Sequence, residues 1–132
     1  MGAAENKELI RNMFAELSKG NFDIYLNTLA DNVQYTIIGT GKYSGLYNGK
    51  QEVIDRLLSP LGSQIEGHLE IIPSNFIADG EYVAMQATGK SLSKNGVRYD
   101  NTYCHVFRIV AGKIVGIVEY LDTELVTRAF GK

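Results

Sequence analysis

Two ionisable side chains, His105 and Glu119, fall in the stretch of this sequence that is best suited to building a pocket. Residues 99–121 run Tyr-Asp-Asn-Thr-Tyr-Cys-His-Val-Phe-Arg-Ile-Val-Ala-Gly-Lys-Ile-Val-Gly-Ile-Val-Glu-Tyr-Leu, which predicts two antiparallel strands joined by a tight turn at Ala111 and Gly112. Side chains alternate between the two faces of a strand. One face is therefore apolar apart from a few polar groups and one carboxylate: Tyr99, Asn101, Tyr103, His105, Phe107, Ile109, Ile117, Glu119 and Leu121. Such a wall is typical of a small-molecule pocket.

Glu119 is the candidate acid or base on this face. A carboxylate among apolar neighbours such as Ile117 and Leu121 loses hydration, which disfavours its charged form and predicts a raised pKa. A raised pKa makes a carboxyl group useful for proton transfer near neutral pH. The alternative is a structural glutamate that bonds to Tyr103 or His105, or reaches solvent at the end of the strand.

His105 lies on the same predicted face. An imidazole that pairs with Glu119 across the strands would form an acid/base dyad. The alternative is a core histidine satisfied by a carbonyl or a tyrosine. The other histidine, His68, has no partner in the sequence and is expected at the surface or at a sheet edge. Two histidines without close spacing predict no metal site.

Four side chains are candidates to donate hydrogen bonds to a ligand's carbonyl or enolate oxygen: Tyr35, Tyr99, Asn101 and Tyr103. Tyrosines in long strands more often serve packing, so we expect one or two of the four to touch a ligand. Residues 39–49 are rich in glycine but lack the spacing of a phosphate-binding loop, and they predict a flexible loop whose Tyr43 and Tyr47 flank the pocket mouth. Ile117 and Leu121 supply apolar lining.

Helical and strand patterns frame these residues. Apolar residues at helical spacing predict three helices, over residues 5–19, 23–29 and 50–61. Besides the pair described above, strands are predicted over residues 33–38, 64–72 and 81–93. Pro73 is expected to bend or end the second of these strands, because proline cannot donate to a ladder. Asp122 is expected to cap a closing helix that reaches Phe130.

The order of these elements predicts the α+β class, because strands in a meander follow the helices. Long strands twist and curl. Three N-terminal helices packed on the concave side of a curved antiparallel sheet would then enclose a cone-shaped cavity, with a short helix at the C-terminus. A chain of 132 residues without linker or repeat predicts a single domain over residues 1–132.

Composition excludes some partners and predicts others. A net charge of −2 offers no basic patch for nucleic acid and no polybasic face for a membrane. One cysteine, Cys104, permits no internal disulfide, and the absence of a signal-peptide pattern adds to the expectation of a cytoplasmic protein. The outward positions Thr102, Cys104, Val106 and Val118 form a fairly apolar outer sheet face, which predicts a homodimer.

Several segments spread over nearly the whole chain match a known pattern: Gly39…Tyr43-Ser44-Gly45…Gly49-Lys50-Gln51-Glu52-Val53, Gly96-Val97-Arg98-Tyr99-Asp100-Asn101-Thr102-Tyr103, Val106-Phe107-Arg108, Gly112-Lys113-Ile114 and Glu119-Tyr120-Leu121-Asp122-Thr123. They resemble the SnoaL-like, ketosteroid isomerase-related branch of the nuclear-transport-factor-2-like (NTF2-like) superfamily. The resemblance implies a cone-shaped fold with a deep pocket and frequently a dimer through the outer sheet face. The position of Glu119 looks like the one that carries a catalytic aspartate in SnoaL-like polyketide cyclases and limonene epoxide hydrolase.

Other positions depart from related enzymes. The chain resembles limonene epoxide hydrolase, but the charge relay of that enzyme needs an arginine and an aspartate at the positions where this chain has Gln86 and Thr88. Ketosteroid isomerase needs a tyrosine where Phe14 stands, and an aspartate near Thr36 or Ile37. We therefore expect efficient turnover of neither substrate, and Phe14 is counted among the residues that line the pocket.

These observations leave three function classes open. The leading hypothesis is a cofactor-independent enzyme in which Glu119 moves a proton on a small, largely apolar carbonyl compound during isomerisation, cyclisation or dehydration, while Tyr103 or Asn101 steadies the oxyanion. The first alternative is a non-catalytic carrier that holds a small molecule in the same pocket. The second is a protein–protein adaptor, whose cavity would be plugged by its own side chains.

Overall fold

The chain forms helices at its beginning, middle and end, and strands between them; the computed structural model describes residues 2–132. The helices are α1 (Ala3–Ser18), α2 (Phe22–Thr28), α3 (Lys50–Val53), α4 (Ser59–Gly62) and α5 (Thr123–Phe130). The strands are β1 (Leu29–Ile37), β2 (Gly45–Asn48), β3 (Ile65–Asp79), β4 (Tyr82–Ser93), β5 (Thr102–Val110) and β6 (Lys113–Leu121). The predicted domain over residues 1–132 includes residue 1, which lies outside the described part.

The helix expected over residues 50–61 is present but is not a regular α-helix. A π-helical turn, Ile54–Leu58, separates α3 from α4. A π-turn changes the angular spacing of side chains along a helix, and such turns are frequent at functional sites. Here the adjacent residues Leu57 and Leu58 both face the cavity described below.

The six strands form one curved, open sheet in the order β2-β1-β6-β5-β4-β3. The expected antiparallel meander from β3 to β6 is confirmed. The pairing of β1 with β6 is parallel, which differs from a fully antiparallel sheet. This arrangement lays the first and the last strand side by side in the middle of the sheet, so residues far apart in sequence meet there.

Two local expectations need correction. The glycine-rich stretch contains strand β2 and is not only a loop, because the free edge of β1 pairs with it at Tyr35 and Tyr47. Strand β3 continues through Pro73, with an irregular register between Pro73 and Asn75. Since β3 is the edge strand of the sheet, the missing N–H of Pro73 need not break a ladder.

The predicted alternation over residues 99–121 is confirmed by burial. The side chains expected on the inner face are buried, with Leu121 half-buried: Tyr99, Asn101, Tyr103, His105, Phe107, Ile109, Ile117, Glu119 and Leu121. The regular strand begins only at Thr102, yet pairing continues before it, since Tyr99 N donates to Ser91 O at 2.9 Å and Gly89 N donates to Asn101 O at 2.7 Å.

Helices α1 and α5 close the two sides of the concave face. Helix α1 buries Ile10, Met13 and Phe14 against β3 and β4. Helix α5 begins at the predicted cap, where Asp122 Oδ1 accepts from Glu124 N at 3.0 Å and from Leu125 N at 3.2 Å. Its last residue, Phe130, packs with ring centroids 4.7 Å from Tyr99 and 5.8 Å from Tyr43.

The outer sheet face is only partly covered. Cys104, Val106 and Val118 are half-buried, and Tyr120 on the same face is 47% exposed. None of the helices within residues 2–132 has the length and apolar character required to cross a membrane.

Candidate functional site

A cavity of about 410 Å³ lies between the concave face of the sheet and the surrounding helices. Its walls are mainly apolar and aromatic, and they include side chains from every helical segment except α3. A cavity of this size and lining is in the range of small-molecule sites. Its polar groups are tyrosine hydroxyls, two histidines, one carboxylate and the hydroxyls of Ser44 and Thr123.

Glu119, His105 and Tyr35 meet at the floor of this cavity. Glu119 on β6 pairs directly with His105 on β5, and with Ile37 on β1. Tyr35 lies two residues before Ile37 and therefore shares its face. The Tyr35 hydroxyl donates to Oε1 of Glu119, and Nε2 of His105 lies 3.2 Å from the same oxygen. Both Glu119 and His105 are buried, with 7% and 4% of their surface exposed.

The imidazole of His105 is held by aromatic rings more than by hydrogen bonds. Its centroid lies 5.3 Å from that of Tyr103, 5.8 Å from Phe107 and 6.4 Å from Phe14, all in edge-to-face geometry. Within the described residues its buried Nε2 makes no well-aligned hydrogen bond, although Glu119 is near. Catalytic contacts are often poorly aligned before a ligand binds.

The pKa of Glu119 is lowered from its ordinary value of 4.5, which is opposite to the expectation from the sequence. Burial alone raises the pKa of this carboxyl group. The neighbouring His105 and the hydrogen bond from Tyr35 outweigh burial, because each favours the ionised form of the carboxyl group. The carboxylate is therefore ionised at neutral pH.

Buried tyrosines surround this pair. Burial and the charge of Glu119 raise the pKa of Tyr25 and that of Tyr35. Burial also raises the pKa of Tyr103, and raises that of Tyr99 to about 12. Each phenol thus keeps its proton at neutral pH and is able to donate a hydrogen bond.

Tyr103 stands out among these phenols. Its hydroxyl is buried and makes no hydrogen bond of normal geometry among residues 2–132, although the Tyr99 hydroxyl lies close enough to affect its pKa. Tyr99 and Tyr43 differ, because their hydroxyls accept from Asn101 Nδ2 at 3.3 Å and from Gln64 Nε2 at 2.8 Å. An unpaired buried hydroxyl costs free energy unless a ligand or water completes it.

The predicted contact residues separate into two groups. Six line the cavity: Phe14, Tyr35, Tyr43, Tyr99, Tyr103 and Leu121. Asn101 does not, because its Oδ1 accepts from Thr102 N at 2.7 Å and Asp122 N at 3.0 Å, while its Nδ2 donates to Asp122 O at 3.1 Å. Ile117 is also outside the lining; it is 1% exposed in the core beneath the cavity.

Other lining residues were missed from the sequence. Tyr25 reaches the cavity from α2, and no strand periodicity points to it. The leucines of residues 57–61 were read only as the inner stripe of a helix. His68 was expected at the surface; it is exposed, but at the cavity mouth, beside Gly67, whose φ is 71° in an irregular part of β3. No group of three potential metal-ligating side chains is found within residues 2–132.

The fold is that of the NTF2-like class. The chain is similar to an NTF2-like protein of unknown function from Burkholderia pseudomallei K96243, with 22% identity, 96% of this chain and 98% of that chain covered, and a TM-score of 0.83. It is similar to a putative SnoaL-like polyketide cyclase from Jannaschia sp. CCS1, with 16% identity, 98% and 93% coverage, and a TM-score of 0.77. An epoxide hydrolase of M. tuberculosis that is like limonene epoxide hydrolase aligns with 20% identity, 96% and 92% coverage, and a TM-score of 0.74.

The family is assigned by sequence. The model of the SnoaL-like domain matches residues 10–117, and the chain therefore belongs to the SnoaL-like family. No curated protein sequence matches the chain. Fold, family and cavity together define a small-molecule pocket protein.

The structure shows that the two positions compared with limonene epoxide hydrolase in the sequence do not face the cavity. Gln86 and Thr88, which were aligned with its arginine and aspartate, are exposed on the outer face of β4. The buried positions of this strand that alternate with them include Met85 and Ala87. Neither of these side chains carries an acid or a base.

Proposed function

We propose that this SnoaL-like protein binds a small, largely apolar carbonyl compound and moves a proton on it without a cofactor, with Glu119 and His105 as the acid/base pair. The observation that carries the proposal is the placement of a buried carboxylate 3.2 Å from an imidazole in the wall of an otherwise mainly apolar cavity. Proton transfer in such a site needs a base that is ionised and close to the ligand.

Glu119 meets these requirements. Its lowered pKa keeps the carboxylate ionised at neutral pH, and both recorded contacts use Oε1, which leaves Oε2 for a ligand. In the proposed step a C–H bond beside the ligand carbonyl breaks, its proton passes to the carboxylate, and the electron pair moves onto the carbonyl oxygen. Where the ligand carries a conjugated double bond, return of the proton from the carboxyl group to the far carbon of the dienolate gives isomerisation. Attack of the enolate carbon on a second carbonyl of the ligand, with return of the same proton to the alkoxide that forms, gives cyclisation.

Tyr103 is the proposed donor to the enolate oxygen. Its buried hydroxyl lacks a partner within the described part of the chain, and its raised pKa keeps the proton that it donates. A pre-placed donor of this kind stabilises negative charge as it develops. Asn101, the other candidate, already uses its amide in hydrogen bonds with the backbone and with the Tyr99 hydroxyl, and it is not proposed for this role.

The carrier remains the alternative because the low pKa of Glu119 makes it a weak base. A weak base reduces the driving force for removing a proton from carbon. A carrier would use the apolar walls and the tyrosine hydroxyls for binding alone. The adaptor has less support, since the cavity of about 410 Å³ is not filled by the protein's own side chains.

The test is exchange of carbon-bound hydrogen, which requires no knowledge of the net reaction. A panel of small aryl and cyclic ketones is incubated with the protein in D₂O, and incorporation of deuterium beside the carbonyl is followed by NMR. We expect exchange above background with the wild-type protein and a loss of about 100-fold or more with Glu119→Gln. Glu124→Gln removes the same charge from an exposed site on α5 and should leave the rate unchanged.

Two outcomes contradict the proposal. Ketones that bind equally to the wild type and to Glu119→Gln, with no exchange by either, support the carrier. Exchange that survives in Glu119→Gln removes Glu119 from the mechanism.

We also propose that the protein forms a homodimer through the outer sheet face. The half-buried Val106 and Val118 and the exposed Tyr120 support this proposal. Light scattering should give twice the chain mass for the wild type and the monomer mass for Val118→Lys. Gln51→Lys on exposed α3 is the control, and a wild-type monomer contradicts the proposal.

A further inference from the structure

The charges around the cavity are unbalanced. Glu119 is the one carboxylate among the lining residues, and no lysine or arginine within residues 2–132 lines the cavity. Two basic side chains that are next in sequence to lining residues have partners elsewhere. Lys42 is exposed and donates to Phe130 O at 3.0 Å, and Arg56 pairs with Glu52 while lying 5.0 Å from the ring centroid of Tyr47.

The two histidines of the lining do not supply a free positive charge to a ligand. His105 already lies against Glu119, with Nε2 at 3.2 Å from Oε1, and the rest of its ring packs against aromatic side chains. His68 is exposed at the mouth, where water and salt screen its interactions. A negatively charged group placed at the cavity floor would meet Glu119 and no cation of its own.

We propose that the cavity selects uncharged ligands and rejects carboxylates and phosphates, with Glu119 as the residue that determines this specificity. The inference deepens the function proposed above, since it narrows the class of carbonyl compound. The proposed function depends on proton transfer by Glu119, whereas this inference depends only on the negative charge of Glu119.

The physical basis is desolvation combined with repulsion. A neutral carbonyl group gains a hydrogen bond from a buried phenol such as Tyr103 and loses little hydration. An anionic group loses its hydration and approaches a second negative charge in a medium that screens poorly. Because no cation pairs with the anionic group in the cavity, the free energy lost by removing it from water is not offset.

The experiment compares three ligands of nearly equal shape at pH 8: 2-acetylnaphthalene, 2-naphthamide and 2-naphthoate. Dissociation constants are measured by ligand-observed NMR titration with the full-length wild-type protein. We expect the ketone and the amide to bind at least about tenfold more tightly than the carboxylate, because like charges repel strongly in a poorly screened site.

Two variants test whether the charge of Glu119 causes the difference in affinity between the ketone and the carboxylate. Glu119→Gln keeps the size of the side chain and removes its charge, so the ratio between ketone and carboxylate should fall severalfold, chiefly through tighter binding of the carboxylate. Glu124→Gln removes a charge from the surface and should leave the ratio unchanged. The wild-type ratio tests the inference even where Glu119→Gln fails to fold.

The inference is overturned if 2-naphthoate binds the wild type as tightly as the ketone, or if none of the three ligands binds. It is also overturned if the ratio is the same in Glu119→Gln. The outcome is separable from that of the proposed function. Selective binding of the ketone without hydrogen exchange refutes catalysis alone, and exchange with equally tight binding of the carboxylate refutes charge selection alone.

Discussion

Nε2 of His105 lies 3.2 Å from Oε1 of Glu119 at a position where β5 and β6 pair directly. Directly opposed residues of antiparallel strands are close enough for their side chains to interact. The pair is thus held by the sheet itself and not by a mobile loop. The hydroxyl of Tyr35, from the parallel neighbour β1, reaches the same oxygen and completes the environment of the carboxylate.

Tyr35→Phe should raise the pKa of Glu119, because it removes a hydrogen bond that favours the ionised form. In the folded wild type this pKa lies below the ordinary 4.5, so the stabilisation is fully present above pH 4.5 and is lost as pH falls through the folded pKa. We expect the variant to lose about 1 kcal/mol of unfolding free energy at neutral pH and less in acid. Urea unfolding from about pH 3 to about pH 8 measures this difference.

Tyr47→Phe is the matched control for this prediction. The hydroxyl of Tyr47 is buried and donates to the backbone oxygen of Tyr43 at 2.8 Å. Its loss should cost a similar amount of free energy at every pH, since the acceptor is neutral. A loss in Tyr35→Phe that is equally independent of pH would contradict the assigned role of Tyr35.

His105→Phe should destabilise the protein by about 2 kcal/mol, because among the described residues it leaves the buried carboxylate of Glu119 with the Tyr35 hydroxyl as its one remaining polar partner. Phenylalanine keeps the aromatic packing against Phe14 and Phe107. Adding Glu119→Gln to this variant should recover part of the loss. Chemical denaturation of the wild type, His105→Phe and the double variant measures the free energy of unfolding of each protein.

His68→Phe provides the comparison for His105→Phe. His68 is exposed, and its replacement should change the free energy of unfolding by no more than about 0.5 kcal/mol. If His105→Phe costs no more than His68→Phe, the contact between His105 and Glu119 contributes nothing to stability.

Gly89→Ala should displace Tyr103, because a Cβ at this position would stand 3.0 Å from Cε2 and 3.4 Å from the hydroxyl of that ring. We expect a loss of about 1 kcal/mol in stability from overpacking. Ketone binding should weaken as well, since the hydroxyl moves away from the cavity. A Cβ at Gly116 would meet Arg108 Cβ at 3.7 Å and the backbone oxygen of Gln34 at 3.9 Å, both ordinary contacts, so Gly116→Ala should alter neither property by as much.

Asp122→Ala should cost about 1 kcal/mol, because two backbone N–H groups at the start of α5 lose their acceptor. Glu124→Ala, in the first turn of the same helix, should cost only a few tenths of a kcal/mol through the helix dipole. Thermal unfolding of the two variants gives the comparison. An equal effect of both substitutions would show that capping by Asp122 is not the source of the stability.

The sequence predicted the strands of residues 99–121 and their inner face because alternation is a property of the extended backbone itself. The helices were predicted for a similar local reason, since their apolar spacing follows from the helical repeat. Asp122 was predicted as a cap because capping acts over only three residues. Predictions failed where the environment of a segment decides: β3 passes Pro73 because it lies at the sheet edge, and β2 forms because β1 offers a free edge.

The candidate site shows the same division. By itself, the sequence determined that Glu119 and His105 share the inner face of the strand pair. Only the tertiary structure decided that Tyr35, which is 84 residues from Glu119, donates to it, and that Tyr25 lines the same cavity. It also decided the direction of the pKa of Glu119. Burial of the carboxylate and its pairing with His105 follow from the local hairpin, whereas Tyr35, which also lowers the pKa of Glu119, comes from β1, whose place beside β6 depends on the whole sheet.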